Sequence, residues 1–75
     1  MNQPLVVWEK QRGEQHWIAH HGTSTTLVVS NPLRMNFPWS LQHDDKVITG
    51  GVKSNLPFAQ QAAEDALLDF LTEQT

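Results

Sequence analysis

From Asn55 to Thr75 the chain carries one amphipathic pattern, and that pattern limits what the residues before it can become. At about 100° per residue, Leu56, Ala59, Ala62, Ala63, Ala66, Leu67, Phe70 and Leu71 fall on one side of a helix, the spacing of a buried stripe. Ser54 or Asn55 is placed to cap it, because a short polar side chain accepts a hydrogen bond from a free first-turn N–H. Pro57 falls in that first turn, where its missing N–H costs nothing. The stripe is alanine-rich at its start and bulky at its end. Its first half can therefore approach a sheet closely, while Phe70 and Leu71 plug one end of the core. With 75 residues the chain is one domain with room for a single helical layer.

The outer side of this helix has two features that packing does not require. Leu68 points almost opposite the stripe, and Glu64, Asp65, Asp69 and Glu73 are acidic, with no Lys or Arg after Lys53. Carboxylates near a helix C-terminus oppose the macrodipole. They either serve solubility or form an acidic surface for a basic partner. The overall net charge of −3 hides this asymmetry: residues 1–53 sum to +1 and residues 54–75 to −4.

Upstream, the chain reads as short strands and turns. Leu5–Lys10 is a strand by β-branched and aromatic content, and Gln11-Arg12-Gly13-Glu14 is a turn closing a hairpin. Gln15–His21 alternates Trp17, Ala19 and His21 against His16, Ile18 and His20, which places Trp17 and Ala19 under the alanine-rich helix. Gly22 ends that strand, and Thr25–Ser30 is the most β-prone stretch. Asn31–Pro38 is interrupted by two prolines and reads as an apolar loop or irregular edge, with Leu33, Met35 and Phe37 alternating, which fits either a strand extension or an exposed hydrophobic knuckle. Trp39–Gln42 resumes as a strand, His43-Asp44-Asp45-Lys46 turns, and Val47-Ile48-Thr49 pairs back before Gly50-Gly51 releases the chain towards the helix. The expected fold is α+β: an antiparallel sheet of three to five short strands, spanning about residues 5–50, packed under one C-terminal amphipathic helix over about 55–73.

Trp8, Trp17-Ile18-Ala19, Gly22, the hydrophobic third strand, Trp39 and a Gly-Gly pair before an Ala-rich helix resemble the small βββα proteins of bacteriophages and prophages. That resemblance implies a phage or mobile-element origin and no particular activity. At fold level the order is also similar to the arm-type DNA-binding domain of tyrosine integrases and to plant ethylene-response-factor domains. Those families lay a three-stranded sheet in the major groove and present several Arg and Lys from it; here the bases are Lys10, Arg12, Arg34, Lys46 and Lys53, spread along the chain.

Chemistry-bearing groups are sparse. Cysteine is absent, which removes disulfides, thiolate nucleophiles and cysteine zinc sites. His16 and His20 share a strand face but lie about 13 Å apart in an extended chain, too far to chelate one ion together. No nucleophile motif or glycine-rich phosphate loop is present. The expectation is therefore a non-enzyme with no metal and no cofactor. Met1-Asn2-Gln3-Pro4 is polar and the apolar runs are too short to span a bilayer, so the expectation is a cytoplasmic protein without a membrane partner.

The expected function is a small phage-type protein-binding module that masks or inhibits a host protein of the defence or transcription-factor class. Two surfaces could serve it: the acidic helix face of Glu64, Asp65, Leu68 and Asp69, or the apolar loop with Met35, Phe37 and Trp39. Exposed aromatics near Arg are typical interface anchors. Self-pairing into a homodimer through Leu68 or an open sheet edge is a related outcome. Nucleic acid ranks below protein as a partner; the alternative reading is a nucleic-acid-binding sheet using Trp8, Lys10, Arg12, His16 and Arg34.

Overall fold

The computed structural model describes residues 6–13, 15–31 and 35–73. Five strands, β1 (Trp8–Lys10), β2 (His16–His21), β3 (Thr25–Ser30), β4 (Phe37–His43) and β5 (Lys46–Lys53), precede one helix, α1 (Leu56–Glu73). The strands pair antiparallel in chain order to form one five-stranded sheet. This is the α+β architecture expected from the sequence.

The connections are short because the turn residues suit them. Asp44 and Asp45 both adopt positive φ, 52° and 65°, which gives the two-residue β4–β5 hairpin the twist of a primed turn. The Asp44 N–H donates to the Ser24 carbonyl at 3.0 Å, tying this hairpin to the neighbouring β2–β3 loop. At the helix start, the Asn55 side chain accepts a hydrogen bond from the Phe58 N–H at 3.0 Å. Asn55 is thus the N-cap, and Pro57 follows in the first turn.

Register decides which side chains meet the helix. Trp8, Ala19, Leu27, Leu41 and Thr49 form one row across the sheet, and Lys10, Trp17, Val29, Trp39 and Gly51 form the next on the same face. The helix lies on that face against β3, β4 and β5. Ala59, Ala63 and Leu67 are fully buried, as are Ala19, Leu27, Val29 and Leu41 beneath them. Trp8, Trp39, Ala66, Phe70 and Leu71 close the margins of the core. The other sheet face, bearing His16, Ile18, His20, Thr26, Val28, Ser40 and Gln42, has no second layer over it among the described residues.

Several local expectations change. Gly50-Gly51 does not release the chain; it lies inside β5, which runs on to Lys53. A Cβ on Gly50 would stand 2.7 Å from the Trp39 carbonyl oxygen, and one on Gly51 would stand 3.0–3.2 Å from the Trp39 indole. Both positions are held to glycine by Trp39, Gly50 by its main-chain carbonyl and Gly51 by its indole, close approach being a common reason for glycine within a strand. Trp17 is only half-buried. It shares the face of Ala19 but lies beyond the helix, packed against Phe37 with ring centroids 6.1 Å apart and with the Lys10 ammonium 5.8 Å from its ring centre.

In the Asn31–Pro38 region the strand-extension alternative holds from Phe37, where β4 begins. Pro38 is tolerated there because it stands one residue past Val29↔Trp39, where pairing with β3 has ended. In the first expected strand only Trp8–Lys10 are paired. Leu5 at its start, Glu14 in the first turn, and Leu33 in the loop lie outside the described residues. No helix among the described residues is long and apolar enough to cross a membrane.

Two substitutions check this packing in chemical denaturation. Leu67→Ala should cost about 2–5 kcal/mol, the range for emptying a closed leucine site. Gly50→Ala should cost about 1–3 kcal/mol by overpacking against the β4 backbone; an unchanged midpoint for Gly50→Ala would place β5 differently from the register given above.

Candidate functional site

The two edges of the sheet differ in kind. β1 contributes three residues, two of them charged (Glu9 and Lys10), and so offers little to pair with. β5 contributes eight, all exposed, with Lys46 and Lys53 at its ends and the uncharged run Val47-Ile48-Thr49-Gly50-Gly51-Val52 between them. Natural sheets usually guard an edge with charge, proline, a β-bulge or brevity. Here the two terminal lysines and a bulge at Ile48, between the pairs Leu41↔Thr49 and Gln42↔Val47, are the guards, and neither falls on Thr49-Gly50-Gly51-Val52.

A seam runs where α1 returns along β5. At one end it opens into a cavity of about 410 Å³ floored by Trp39, Leu41, Ala66 and Phe70 and walled by Ile48, Thr49, Asp69 and Glu73. Lys53, Phe58, Gln61, Ala62 and Asp65 line a smaller hollow at the other end. The helix therefore begins beside the end of β5 and finishes beside its start. Phe58 and Ile48 are 60% and 46% exposed, so the seam has an apolar residue open to solvent towards each end. Its helical lip is acidic: Asp65, Asp69 and Glu73 follow one another at four-residue spacing, and α1 contains no base. Among the described residues the one acid–base contact of ion-pair length joins His43 Nε2 to Asp44 Oδ2 at 3.3 Å and takes in none of these three carboxylates. The floor carries a further polar atom, the Trp39 Nε1–H, which is buried without an acceptor among the described residues.

The structure divides the residues picked from the sequence. Of the acidic helix set, Asp65 and Asp69 border the seam and Leu68 projects outward, half exposed. Glu64 lies on the opposite flank, where its Oε2 accepts a hydrogen bond from Trp8 Nε1 at 3.3 Å. Of the apolar set, Met35 is 77% exposed, Phe37 packs on Trp17, and Trp39 joins the floor of the seam. The nucleic-acid set is not brought onto one surface: Trp8 and Lys10 are on the helix side of the sheet, His16 is on the other side, and Arg12 is in the first turn. Arg34 lies outside the described residues.

The histidines are likewise scattered. His43 Nδ1 is 2.8 Å from the hydroxyl of buried Thr25, and its ring packs on Phe70 at 5.0 Å. His20 lies near Thr26 on the uncovered sheet face. No group of three or more His, Asp or Glu side chains placed to hold a metal occurs among the described residues.

The sequence reading did not single out Ile48, Val52 and Phe58. The uncharged run between Lys46 and Lys53 was a usable signal, but it gained meaning only once β5 proved to be an edge. Compared with known proteins, the chain matches no family model, no curated protein and no solved structure.

The division of the acidic residues has a measurable consequence. Glu64→Ala should cost about 1 kcal/mol in equilibrium unfolding through loss of the Trp8 hydrogen bond. Asp69→Lys should leave stability unchanged or raise it slightly, because a base near a helix C-terminus complements the dipole that the carboxylate opposes. A loss for Asp69→Lys as large as that for Glu64→Ala would contradict this placement.

Proposed function

We propose that this chain is a small phage-type protein-binding module that works in the host cytoplasm by masking a host protein of the defence or transcription-factor class. The observation that carries the reading is the flank where the long, mostly uncharged edge of β5 meets the acidic lip of α1. This flank combines an apolar floor, exposed apolar side chains and a charged rim, the usual anatomy of a protein interface. Masking needs no catalytic group: a domain of this size seated on a partner blocks whatever else would bind there. The rim would steer a basic partner and exclude acidic ones, an electrostatic contribution to on-rate and specificity.

Affinity capture with the tagged chain from a bacterial lysate tests this, run with and without nuclease and alongside the Asp65→Lys/Asp69→Lys double variant. The expected result is a stoichiometric protein that survives nuclease and is lost with the double variant. Capture that depends on intact nucleic acid would overturn the reading. Retention of the same protein by the double variant would move the interface to another surface.

A further inference from the structure

Resting on the protein-binding reading above, we infer that the partner docks as an extended, basic segment that adds a sixth strand to the free edge of β5, placing alternate Lys or Arg side chains against Asp65, Asp69 and Glu73. The argument begins with spacing. Residues two apart on a strand recur about every 6.6 Å on one face, and residues four apart on a helix about every 6 Å along its axis. Because α1 runs back along β5, the three carboxylates form a row with nearly the period of one face of an added strand. A segment paired with β5 would therefore meet the acidic row with every second side chain.

The intervening side chains would point to the uncovered sheet face, beside Val47 and Val52, which are 66% and 57% exposed. Apolar residues suit those positions. Gly50-Gly51 at mid-strand and the absence of charge from Val47 to Val52 leave the backbone groups of β5 open to a partner strand, the recognised route of β-augmentation. The charge requirement has its own physical basis: Asp69 and Glu73 sit in the last turns of α1, where the helix end already carries negative potential. A cationic segment relieves that potential.

The same charges disfavour a second copy of this chain as the occupant. Two β5 edges paired antiparallel about a two-fold axis would bring both acidic helical flanks to one side of the joined sheet, facing each other. Lys46 and Lys53 would also approach their symmetry mates' lysines in the centred register.

The probes are three capped peptides titrated into the full chain at low and moderate salt, with amide chemical shifts recorded: Ac-Val-Lys-Val-Lys-Val-Lys-Val-NH2, the same composition with its lysines adjacent, and the alternating peptide with Glu for Lys. The alternating lysine peptide should shift amides of β5 from Val47 to Val52 together with those of Asp65, Asp69 and Glu73. It should bind about tenfold or more tightly than the peptide with adjacent lysines and weaken with salt; the glutamate peptide should not bind. Asp69→Lys/Glu73→Lys, exposed positions that leave the fold intact, should abolish the preference. Equal affinity for the two lysine peptides, shifts confined to the uncovered sheet face, or shifts that change with protein concentration and mark self-pairing would each overturn strand addition. A lysate partner that is captured while no peptide perturbs β5 would overturn strand addition alone, leaving the protein-binding reading standing; capture of no nuclease-resistant protein by the unaltered chain, with peptide binding intact, would overturn the host-protein reading and leave the β5 edge as a strand-docking site.

Discussion

One helix must cover a five-stranded sheet, and it reaches only part of one face. Ala59 and Ala63 let α1 settle close to the sheet, and Leu67 fills the space over Leu27 and Leu41. Because the helix lies on β3, β4 and β5, the β1 side must be closed by other means. Val6 and Trp8 supply them, with Trp8 reaching the helix flank through Glu64. On the β5 side no such closure occurs among the described residues. The Trp39 indole lies over Gly51 as part of the floor of a seam whose outer wall is an edge strand. In a chain this short the core is small relative to the surface, so where the one helix lies decides which surfaces are left for recognition.

Much of the fold was legible because its signals are local. The helical stripe, the Asn55 cap, the β-branched third strand and the Asp44-Asp45 turn each follow from residues within a few positions of one another. The Gly50-Gly51 pair was misread for the opposite reason. Read alone, two glycines mark a release of the chain; their actual role depends on Trp39, eleven and twelve residues earlier, pressing against them across the sheet. Trp17 shows the same limit. Alternation correctly put it on the face of Ala19, but no pattern reports that the helix stops short of it.

The candidate site was half legible. A wheel distinguishes inward from outward residues, so the acidic outer side of the helix could be seen in the sequence. It does not say which neighbour lies along each flank. Glu64 and Asp65 are adjacent in sequence yet serve different flanks, one bonded to Trp8 and the other bordering β5. The edge strand was hidden for a related reason: a strand becomes an edge through topology, and only then does an uncharged run between two lysines become an exposed ladder of backbone groups.

The claim on which the account turns is that the β5 edge is open in the free protein and kept for a different chain. Native-state amide hydrogen exchange, measured residue by residue at two protein concentrations well apart, tests it most directly. The account predicts slow exchange through β3 and β4, fast exchange at the outward-facing amides of β5, and no change of either with concentration. Protection along Val47–Val52 that grows with concentration would show the edge filled by a second copy and would contradict it.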